Sequence, residues 1–140
     1  MFPRMVVAFD DSPGARRALE RAVELAHPED AEVIVVAVEA HLPHYGATVG
    51  EVTEELEVEE RDCHRWLAAA EAYAAEHGIT VAGEVRAGHP AQELVRAAEE
   101  HEADLIVVGH SGHSSVWGRF LGATAEKISR HAPCSVLIVR

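Results

Sequence analysis

The sequence predicts an α/β domain built on an open sheet of five parallel strands with helices on both faces. Short apolar runs alternate with segments of helical spacing along all 140 residues, and this alternation is typical of a parallel sheet with right-handed crossover connections. The clearest example is Asp104–Arg140, where an apolar run, a glycine-rich loop, a helical segment and a second apolar run follow one another. A chain of this length builds one core, so we predict a single domain.

Five apolar runs rich in β-branched residues are the predicted strands. In chain order they are Met5–Phe9, Glu32–Val38, Ile79–Ala87, Leu105–Val108 and Ser135–Val139. The third run alternates apolar and polar residues and contains Gly83, which favours a strand at the edge of the sheet. The fourth run is short, wholly apolar and followed by Gly109, which favours a strand buried on both faces.

Four segments place apolar residues at helical spacing and are the predicted helices. They run from Pro13 to about His27, from Glu51 to His77, from Pro90 to about His101 and from about Arg119 to His131. Ser12 fits the N-cap of the first helix, and Pro13 fits its first position. Gly78 fits the position that follows the second helix, and Ala132–Pro133 stops the fourth.

The loop Gly109–Gly118 joins a strand to a helix and carries the strongest functional signal. The first N–H groups of a helix have no acceptor within it, and the helix dipole adds positive potential, so this region favours an anion. The glycines Gly109, Gly112 and Gly122 are separated by two and by nine residues. Gly122 falls inside the predicted helix, where glycine costs roughly 1 kcal/mol relative to alanine, so either close approach of a phosphate or tight packing should require it. The alternative is that these glycines only supply positive φ at turns.

The glycine spacing resembles the G-2x-G-9x-G-(Ser/Thr) signature of the universal stress protein family, in its ATP-binding branch. Members of that family similarly begin with an apolar strand that ends in Asp-x-Ser, here Asp10 to Ser12. They similarly place a segment like His131-Ala132-Pro133-Cys134 before the last strand. The resemblance covers nearly the whole chain. One position departs from the signature: Ala123 stands where the family usually has Ser or Thr, and Thr124 follows it.

The resemblance implies a Rossmann-like fold with strand order 3-2-1-4-5 and a nucleotide-binding domain over residues 1–140. That order brings the carboxyl ends of the first and fourth strands together, so Asp10 and Gly109 meet at the crevice where open α/β sheets bind ligands. The implied ligand is ATP, together with Mg²⁺. The residues expected to contact it lie at the strand ends and along the glycine-rich loop: Ala8, Phe9, Asp10, Ser12, Val38, Val108, Gly109, Ser111, Gly112, Ser114, Ser115, Arg119, Gly122, Ala123 and Thr124.

The resemblance also implies roles within this set. The Asp10 carboxylate and the backbone of Ala8–Asp10 would contact the adenine and the ribose, and the backbone of Val38 would read the adenine edge. The residue types themselves add four hydroxyl groups that could donate to phosphates and one guanidinium that could help, with ordinary loop serines as the alternative; these groups belong to Ser111, Ser114, Ser115, Thr124 and Arg119. The alternatives are structural: Asp10, Asp11 and Ser12 would merely cap the first helix, and Val38 would be an ordinary core residue.

The composition makes some partners and compartments improbable. Lys and Arg number 12 against 24 Asp and Glu, a formal net charge of −12, so nucleic acid and anionic membranes are not expected partners. The chain lacks the Walker Gly-x-x-x-x-Gly-Lys-Ser/Thr motif and the Gly-x-Gly-x-x-Gly dinucleotide motif. Cys63 and Cys134 are expected to be buried free thiols, and the N-terminus lacks the apolar run of a secretion signal. We therefore predict a cytoplasmic protein.

Neither a metal site nor a catalytic constellation is predicted. His110 and His113 are the closest histidine pair in the glycine-rich loop, but two ligands without a nearby Cys or carboxylate partner fit zinc poorly. An activated nucleophile or a paired acid and base is not evident, so at most slow ATP hydrolysis is expected. The resemblance further implies a homodimer formed through the last strand, Ser135–Val139, and a downstream protein partner of unknown identity.

These observations predict a nucleotide-dependent sensor or regulator in the stress response. ATP would order the loop Glu39–Gly50 and the loop Gly109–Gly122, and a partner would read that surface. Three alternatives stay open. They are a nucleotide-free dimeric interaction module, which Ala123 favours, a binder that prefers AMP, and a slow ATPase or phosphotransferase.

Overall fold

A computed structural model describes residues 2–39, 49–110 and 121–140, except for the side chains of residues 49–56 and 59. Within these ranges the predicted strands and helices are all present and alternate along the chain. In order they are β1 (Arg4–Ala8), α1 (Pro13–Leu25), β2 (Glu32–Glu39), α2 (Val49–Glu76), β3 (Val81–Ala87), α3 (Pro90–Glu100), β4 (Leu105–Gly109), α4 (Ala123–His131) and β5 (Ser135–Val139). In the described part of the chain, no helix is both long and apolar enough to cross a membrane.

The strands form one parallel sheet in the order β3-β2-β1-β4-β5, which confirms the predicted order and places β3 at an edge. β1 is central, since Met5 lies opposite Val33 of β2 and opposite Leu105 of β4. The chain leaves β1 on one side through α1 and returns to its other side through α3. The carboxyl ends of β1 and β4 therefore flank the point where the strand order reverses, which is where open α/β sheets bind ligands.

Helices cover both faces of the sheet because successive strand residues point to opposite faces. In β1, Met5 and Val7 pack on one face and Val6 on the other, and all three are fully buried. The central helical side chains are Leu19 of α1 and Leu67 of α2 on one face, and Leu94 of α3 and Ile128 of α4 on the other. Burial from both sides is why the central strands are continuous apolar runs in the sequence.

The end of α2 follows the predicted glycine pattern. Gly78 has a φ of 76°, and the Ile79 N–H donates to the Ala74 carbonyl at 2.9 Å. This closing bond needs left-handed backbone at the glycine, which explains why a glycine follows the helix. Because the bond draws Ile79 into the helix end, β3 begins at Val81 and not at the predicted Ile79.

The start of α4 differs from the prediction. α4 begins at Ala123, whereas the spacing predicts a start near Arg119. Leu121 and Gly122 precede the helix, and Gly122 is its N-cap with an extended ψ of 151°. The Gly122 N–H donates to the His110 carbonyl at 2.7 Å, which holds this backbone outside the helix. The expectation that Gly122 lies inside a helix is therefore wrong, and the free-energy penalty of an interior glycine does not apply.

The two cysteines are free thiols in different environments. Cys63 is buried between α2 and the sheet. Cys134 is only half-buried, because it precedes the edge strand β5. The expectation of two buried thiols therefore holds for Cys63 and is wrong for Cys134.

A cluster of charged side chains ties the edge strand β3 to α3. The Arg86 side chain is 12% exposed and lies 3.1 Å from Glu84 and 3.6 Å from Glu93, and it also pairs with Glu100. The hydrogen bond from Arg86, followed by its positive charge, lowers the pKa of the Glu100 carboxyl below its ordinary value. These contacts position α3, whose first turn reaches the carboxyl end of the sheet.

Candidate functional site

A cavity of about 430 Å³ opens at the carboxyl ends of β1, β2 and β4. Every predicted site residue that falls within the described ranges lines this cavity. These residues are Ala8, Phe9, Asp10, Ser12, Val38, Val108, Gly109, Gly122, Ala123 and Thr124. The other predicted contacts, Ser111, Gly112, Ser114, Ser115 and Arg119, lie outside the described residues, as do residues 40–48 of the loop Glu39–Gly50. The strand order thus gathers distant parts of the chain into one place.

The start of α1 forms one wall of the cavity and is closed by its own side chains. Ser12 is the N-cap, is 2% exposed, and accepts the Ala15 N–H at its Oγ over 3.1 Å. The Ser12 N–H in turn donates to Oδ1 of Asp10 at 3.0 Å. Asp11 has a φ of 58° and pairs with Arg16 at 2.9 Å, away from this network. The alternative that Ser12 caps the first helix is therefore confirmed. Asp10 is half-buried and lines the cavity in addition to its bond with the Ser12 N–H.

The start of α4 forms another wall, and its N-cap residue Gly122 provides no such cap. Gly122 offers no side-chain acceptor to the first turn, and its carbonyl accepts the Glu126 N–H at 3.0 Å. The first N–H groups of any helix have no acceptor within the helix. In α4 these include the N–H groups of Ala123 and Thr124, and both residues line the cavity. The N–H of Gly122 itself donates to His110, so the open donors begin one residue after the third glycine.

Close packing explains the glycine at position 109. A Cβ on Gly109 would lie 2.7 Å from the carbonyl carbon and 2.8 Å from the carbonyl oxygen of Gly14 in α1. Among the described glycines, only Gly78 and Gly88 have positive φ. The alternative that Gly109 and Gly122 supply positive φ is therefore wrong. Gly109 instead lets the first turn of α1 approach the end of β4, which shapes the cavity wall.

Val38 presents a backbone donor and a backbone acceptor beyond the end of β1. The Val36 carbonyl accepts the Phe9 N–H at 2.9 Å and so points toward β1, whereas the Glu39 carbonyl accepts the Gly88 N–H at 2.9 Å and points toward β3. Because these directions alternate along a strand, the N–H and C=O of Val38 point to the β1 side. The ladder between β1 and β2 ends at Val36, so the sheet leaves this donor and acceptor open at the cavity.

The structure adds lining residues that the sequence analysis missed. α2 contributes Trp66, and the first turns of α3 contribute Pro90 and Leu94. Pro90 could have been found, since it starts a helix directly after the end of a parallel strand. Trp66 gave no such signal, because its spacing from Cys63 and Leu67 is that of an ordinary core stripe.

The electrostatics of the cavity are set by one carboxylate and by backbone dipoles. Of the described residues that line it, only Asp10 carries a formal charge. The start of α4 lines the same cavity and carries the positive end of its helix dipole, whereas Asp10 carries a negative charge. An anionic group is therefore favoured near Ala123 and Thr124, and a hydroxyl or a cation is favoured near Asp10.

The histidines of the described residues do not assemble into a metal site. No group of three or more His, Cys, Asp and Glu residues that could hold a metal ion occurs in the described part of the chain. The backbone of His110 is structural, since its N–H donates to the Val139 carbonyl at 2.6 Å and its carbonyl accepts from Gly122. Its sequence partner His113 lies outside the described residues.

A wider groove of about 780 Å³ runs between α3 and α4 and shares Pro90, Ala123 and Thr124 with the cavity. It is lined entirely by the two helices and their caps, without strand ends. The smaller cavity is the better candidate for a ligand, because it lies at the reversal of strand order and contains the open backbone groups.

Known proteins resemble this chain over its full length. The sequence model of the universal stress protein family matches residues 1–140. Universal stress protein YxiE of Bacillus subtilis is 34% identical over 151 residues, with 100% of both chains covered. The structure of universal stress protein UspA from Lactobacillus plantarum has a TM-score of 0.88 at 26% identity and covers 98% of this chain and 97% of its own. A universal stress protein crystallised in complex with cAMP has a TM-score of 0.75 at 29% identity, and the match covers 99% of this chain and 97% of that protein. The chain belongs to the universal stress protein family.

Proposed function

We propose that the cavity binds an adenine nucleotide and that the protein acts as a nucleotide-dependent sensor or regulator in the stress response. The observation that carries the proposal is the meeting of two open backbone sites at one cavity. The first is the donor and acceptor of Val38, and the second is the uncapped start of α4. Asp10 lines the same cavity and accepts from the Ser12 N–H, so its carboxylate is held in a defined position.

The proposed position of adenine is at Val38. Adenine carries an exocyclic amino donor beside ring-nitrogen acceptors. A neighbouring backbone carbonyl and N–H, such as those of Val38, complement that edge without any polar side chain. A carboxylate near a nucleoside suits the ribose hydroxyls, and we assign this role to Asp10 together with the adjoining backbone of Ala8 and Phe9.

The proposed position of the phosphates is at the start of α4. The N–H groups of Ala123 and Thr124, together with the Thr124 hydroxyl and the helix dipole, favour an anion. Ser111, Ser114, Ser115 and Arg119 complete this part of the proposal from outside the described residues. A triphosphate would need more positive charge than the described lining offers, so ATP would bind together with Mg²⁺.

Three adenine nucleotides are candidates for the ligand that the cavity binds with the highest affinity. The sequence resemblance implies ATP, while Ala123 in place of Ser or Thr favours a ligand with fewer phosphates, such as AMP. The family member in complex with cAMP adds a cyclic monophosphate to the candidates. All three share the adenine and ribose groups that Val38 and Asp10 would contact.

Titration calorimetry tests the proposal directly. We expect heat of binding and a rise in melting temperature with at least one of ATP plus Mg²⁺, AMP and cAMP. GTP serves as the control for base recognition, because guanine presents the opposite donor and acceptor edge. If none of the adenine nucleotides binds at millimolar concentration, the proposal is wrong, and the nucleotide-free interaction module replaces it.

The sensor role requires that the nucleotide changes a surface. We propose that binding orders the loop Glu39–Gly50 and the loop Gly109–Gly122, which a downstream protein in the cytoplasm then reads. Limited proteolysis with and without saturating nucleotide tests this step. Saturating nucleotide should slow cleavage within these two segments. Unchanged cleavage rates would mean that the protein binds nucleotide without the proposed conformational change.

We also propose a homodimer formed by antiparallel pairing of β5. Among the described strands, β5 pairs only with β4, and Val136 to Ile138 are half-buried in the single chain. A two-fold contact would pair both open edges and close the assembly. Sedimentation equilibrium measures the state directly, and a monomer at high micromolar concentration would overturn this part.

A further inference from the structure

We infer that Trp66 of α2 recognises the flat face of the nucleobase and so determines the preference of the cavity for a heteroaromatic ligand. The inference rests on the proposed function, since it assigns a residue to the base end of the same site. It starts from the observation that Trp66 lines the cavity together with Asp10 and Val38.

Trp66 enters the cavity from the layer opposite α4. α2 packs with α1 on one face of the sheet, whereas α3 and α4 cover the other face. A ligand with its phosphate at the start of α4 would therefore reach across the carboxyl edge of the sheet toward α2. Trp66 lies on that far side, where the base would be.

The indole is held in place but not fully covered. Its neighbours Cys63 and Leu67, on the same stripe of α2, are 1% and 6% exposed, and they anchor the helix on the sheet. Trp66 itself is half-buried against this core. Phe9, the other aromatic residue in the described lining, is 4% exposed and has little surface left to offer a ligand.

The chemistry of the indole complements that of Val38. Val38 offers a donor and an acceptor to the edge of a base, and Trp66 offers a large π surface to its face. The Trp66 Nε1–H finds no acceptor among the described residues, although such donors usually have a partner when buried. Edge and face contacts together favour a planar heterocycle over a ribose phosphate or inorganic polyphosphate.

The test compares Trp66→Ala, Trp66→Phe and Tyr73→Ala by calorimetry with the adenine nucleotide that the wild-type protein binds. Tyr73 is the matched control, because it lies two helical turns further along the same face of α2, is half-buried on the same core, and does not line the cavity. We expect Trp66→Ala to weaken nucleotide binding roughly tenfold. We expect Trp66→Phe to stay within about threefold of wild type, because it keeps an aromatic face.

Inorganic tripolyphosphate with Mg²⁺ separates base recognition from a general disturbance of the site. Its affinity should be the same for wild type and Trp66→Ala. Equal nucleotide affinity in wild type and Trp66→Ala, or an equal loss in Tyr73→Ala, would overturn the inference while leaving nucleotide binding intact. If the wild-type protein binds no adenine nucleotide, both the proposed function and this inference are wrong.

Fluorescence provides a second readout. The chain has two tryptophans, so Trp117→Phe leaves Trp66 as the only one. Saturating nucleotide should quench its emission, whereas tripolyphosphate should not. An emission spectrum that does not change on nucleotide binding would contradict stacking on Trp66.

Discussion

The starts of α1 and α4 line the same cavity, and they differ in the side chain of the N-cap residue. α1 begins after its N-cap Ser12, whose hydroxyl accepts the Ala15 N–H at 3.1 Å, so the cap side chain satisfies a donor of the first turn. α4 begins after its N-cap Gly122, which has no side chain to offer, so among the described residues its first turn has no side-chain cap. Both follow a strand end and both carry the positive end of a helix dipole. The comparison shows that the residue at the N-cap decides whether a helix start is capped by its own side chain.

The largest expected effect comes from breaking the contact that joins the start of α1 to the end of β4. Gly109→Ala would place a Cβ 2.7 Å from the backbone of Gly14, where no flexible side chain can move away. We expect the free energy of unfolding to fall by about 3 kcal/mol, measured by urea denaturation. Gly83→Ala is the control, since its nearest contact is the flexible end of the Glu71 side chain at 2.9 Å. An equal loss in both variants would mean that backbone packing at Gly109 is not limiting.

The next effect comes from making α4 resemble α1. Gly122→Asp would add a cap and a negative charge to the open first turn, at a backbone with φ −62° that any residue adopts. We expect roughly tenfold weaker binding of the nucleotide, because the carboxylate competes with phosphate for the same N–H groups. Stability should rise by about 0.5 kcal/mol.

Gly122→Asn separates the cap from its charge. The amide has the shape of the carboxylate and caps as well, but it does not repel an anion. Its loss of affinity should be smaller than that of Gly122→Asp. Unchanged affinity in Gly122→Asp would show that the phosphates do not bind at the start of α4.

A smaller effect comes from making α1 resemble α4. Ser12→Ala removes the cap of α1 and leaves a buried N–H without its acceptor, so we expect a loss of about 1 kcal/mol in urea denaturation. Ser129→Ala is the matched control, because the Ser129 hydroxyl is exposed and only donates to the Glu126 carbonyl within α4. Its effect should stay within about 0.5 kcal/mol. Equal effects would contradict a special role for the cap.

The smallest effect concerns α3, whose N-cap His89 also makes no side-chain cap bond. Besides its buried apolar side, α3 is tied to β3 by Arg86, whose hydrogen bond lowers the pKa of the Glu100 carboxyl. Because the pKa of Glu100 is lower in the folded than in the unfolded protein, the ionised carboxylate stabilises the folded state. This stability is fully present above the ordinary pKa of glutamate, about 4.3. It is lost as the pH falls through the lower pKa of the folded state. Urea midpoints measured between about pH 3 and pH 7 should therefore depend less on pH in Glu100→Gln than in wild type. Identical pH profiles would exclude this pair as a source of acid sensitivity.

The fold could be predicted from the sequence almost completely. Alternating apolar runs and helical segments predicted each element, and the family resemblance supplied the strand order, which the structure confirms. The errors lie at ends where a hydrogen bond outside the regular pattern sets the boundary. α4 starts at Ala123 because the His110 carbonyl takes the Gly122 N–H, and β3 starts late because Ile79 closes α2. The His110 bond cannot be recognised from the local pattern, whereas the bond of Ile79 follows from the predicted glycine at position 78.

The cavity lies where the sequence analysis placed the candidate site, but not all of the residues and contacts that shape it were predicted. The strand ends and the α4 start line one cavity, as the strand order requires. The reason for Gly109 was not predicted, because its contact with Gly14 forms only when α1 packs on β4. Trp66 was also not predicted, because a residue in a regular core stripe gives no sign that its helix passes a cavity.

Periodicity, turn residues and the spaced glycines were sufficient to predict the chain's elements, its family resemblance and the edge of the sheet where the cavity lies. These are local or nearest-neighbour properties, so the order of residues encodes them directly. The packed structure alone decided which backbone groups remain open. The His110 carbonyl takes the Gly122 N–H and so sets the start of α4, and the ladder between β1 and β2 ends before Val38. Hydrogen-bond partners distant in sequence settle these outcomes, and only folding brings such partners together.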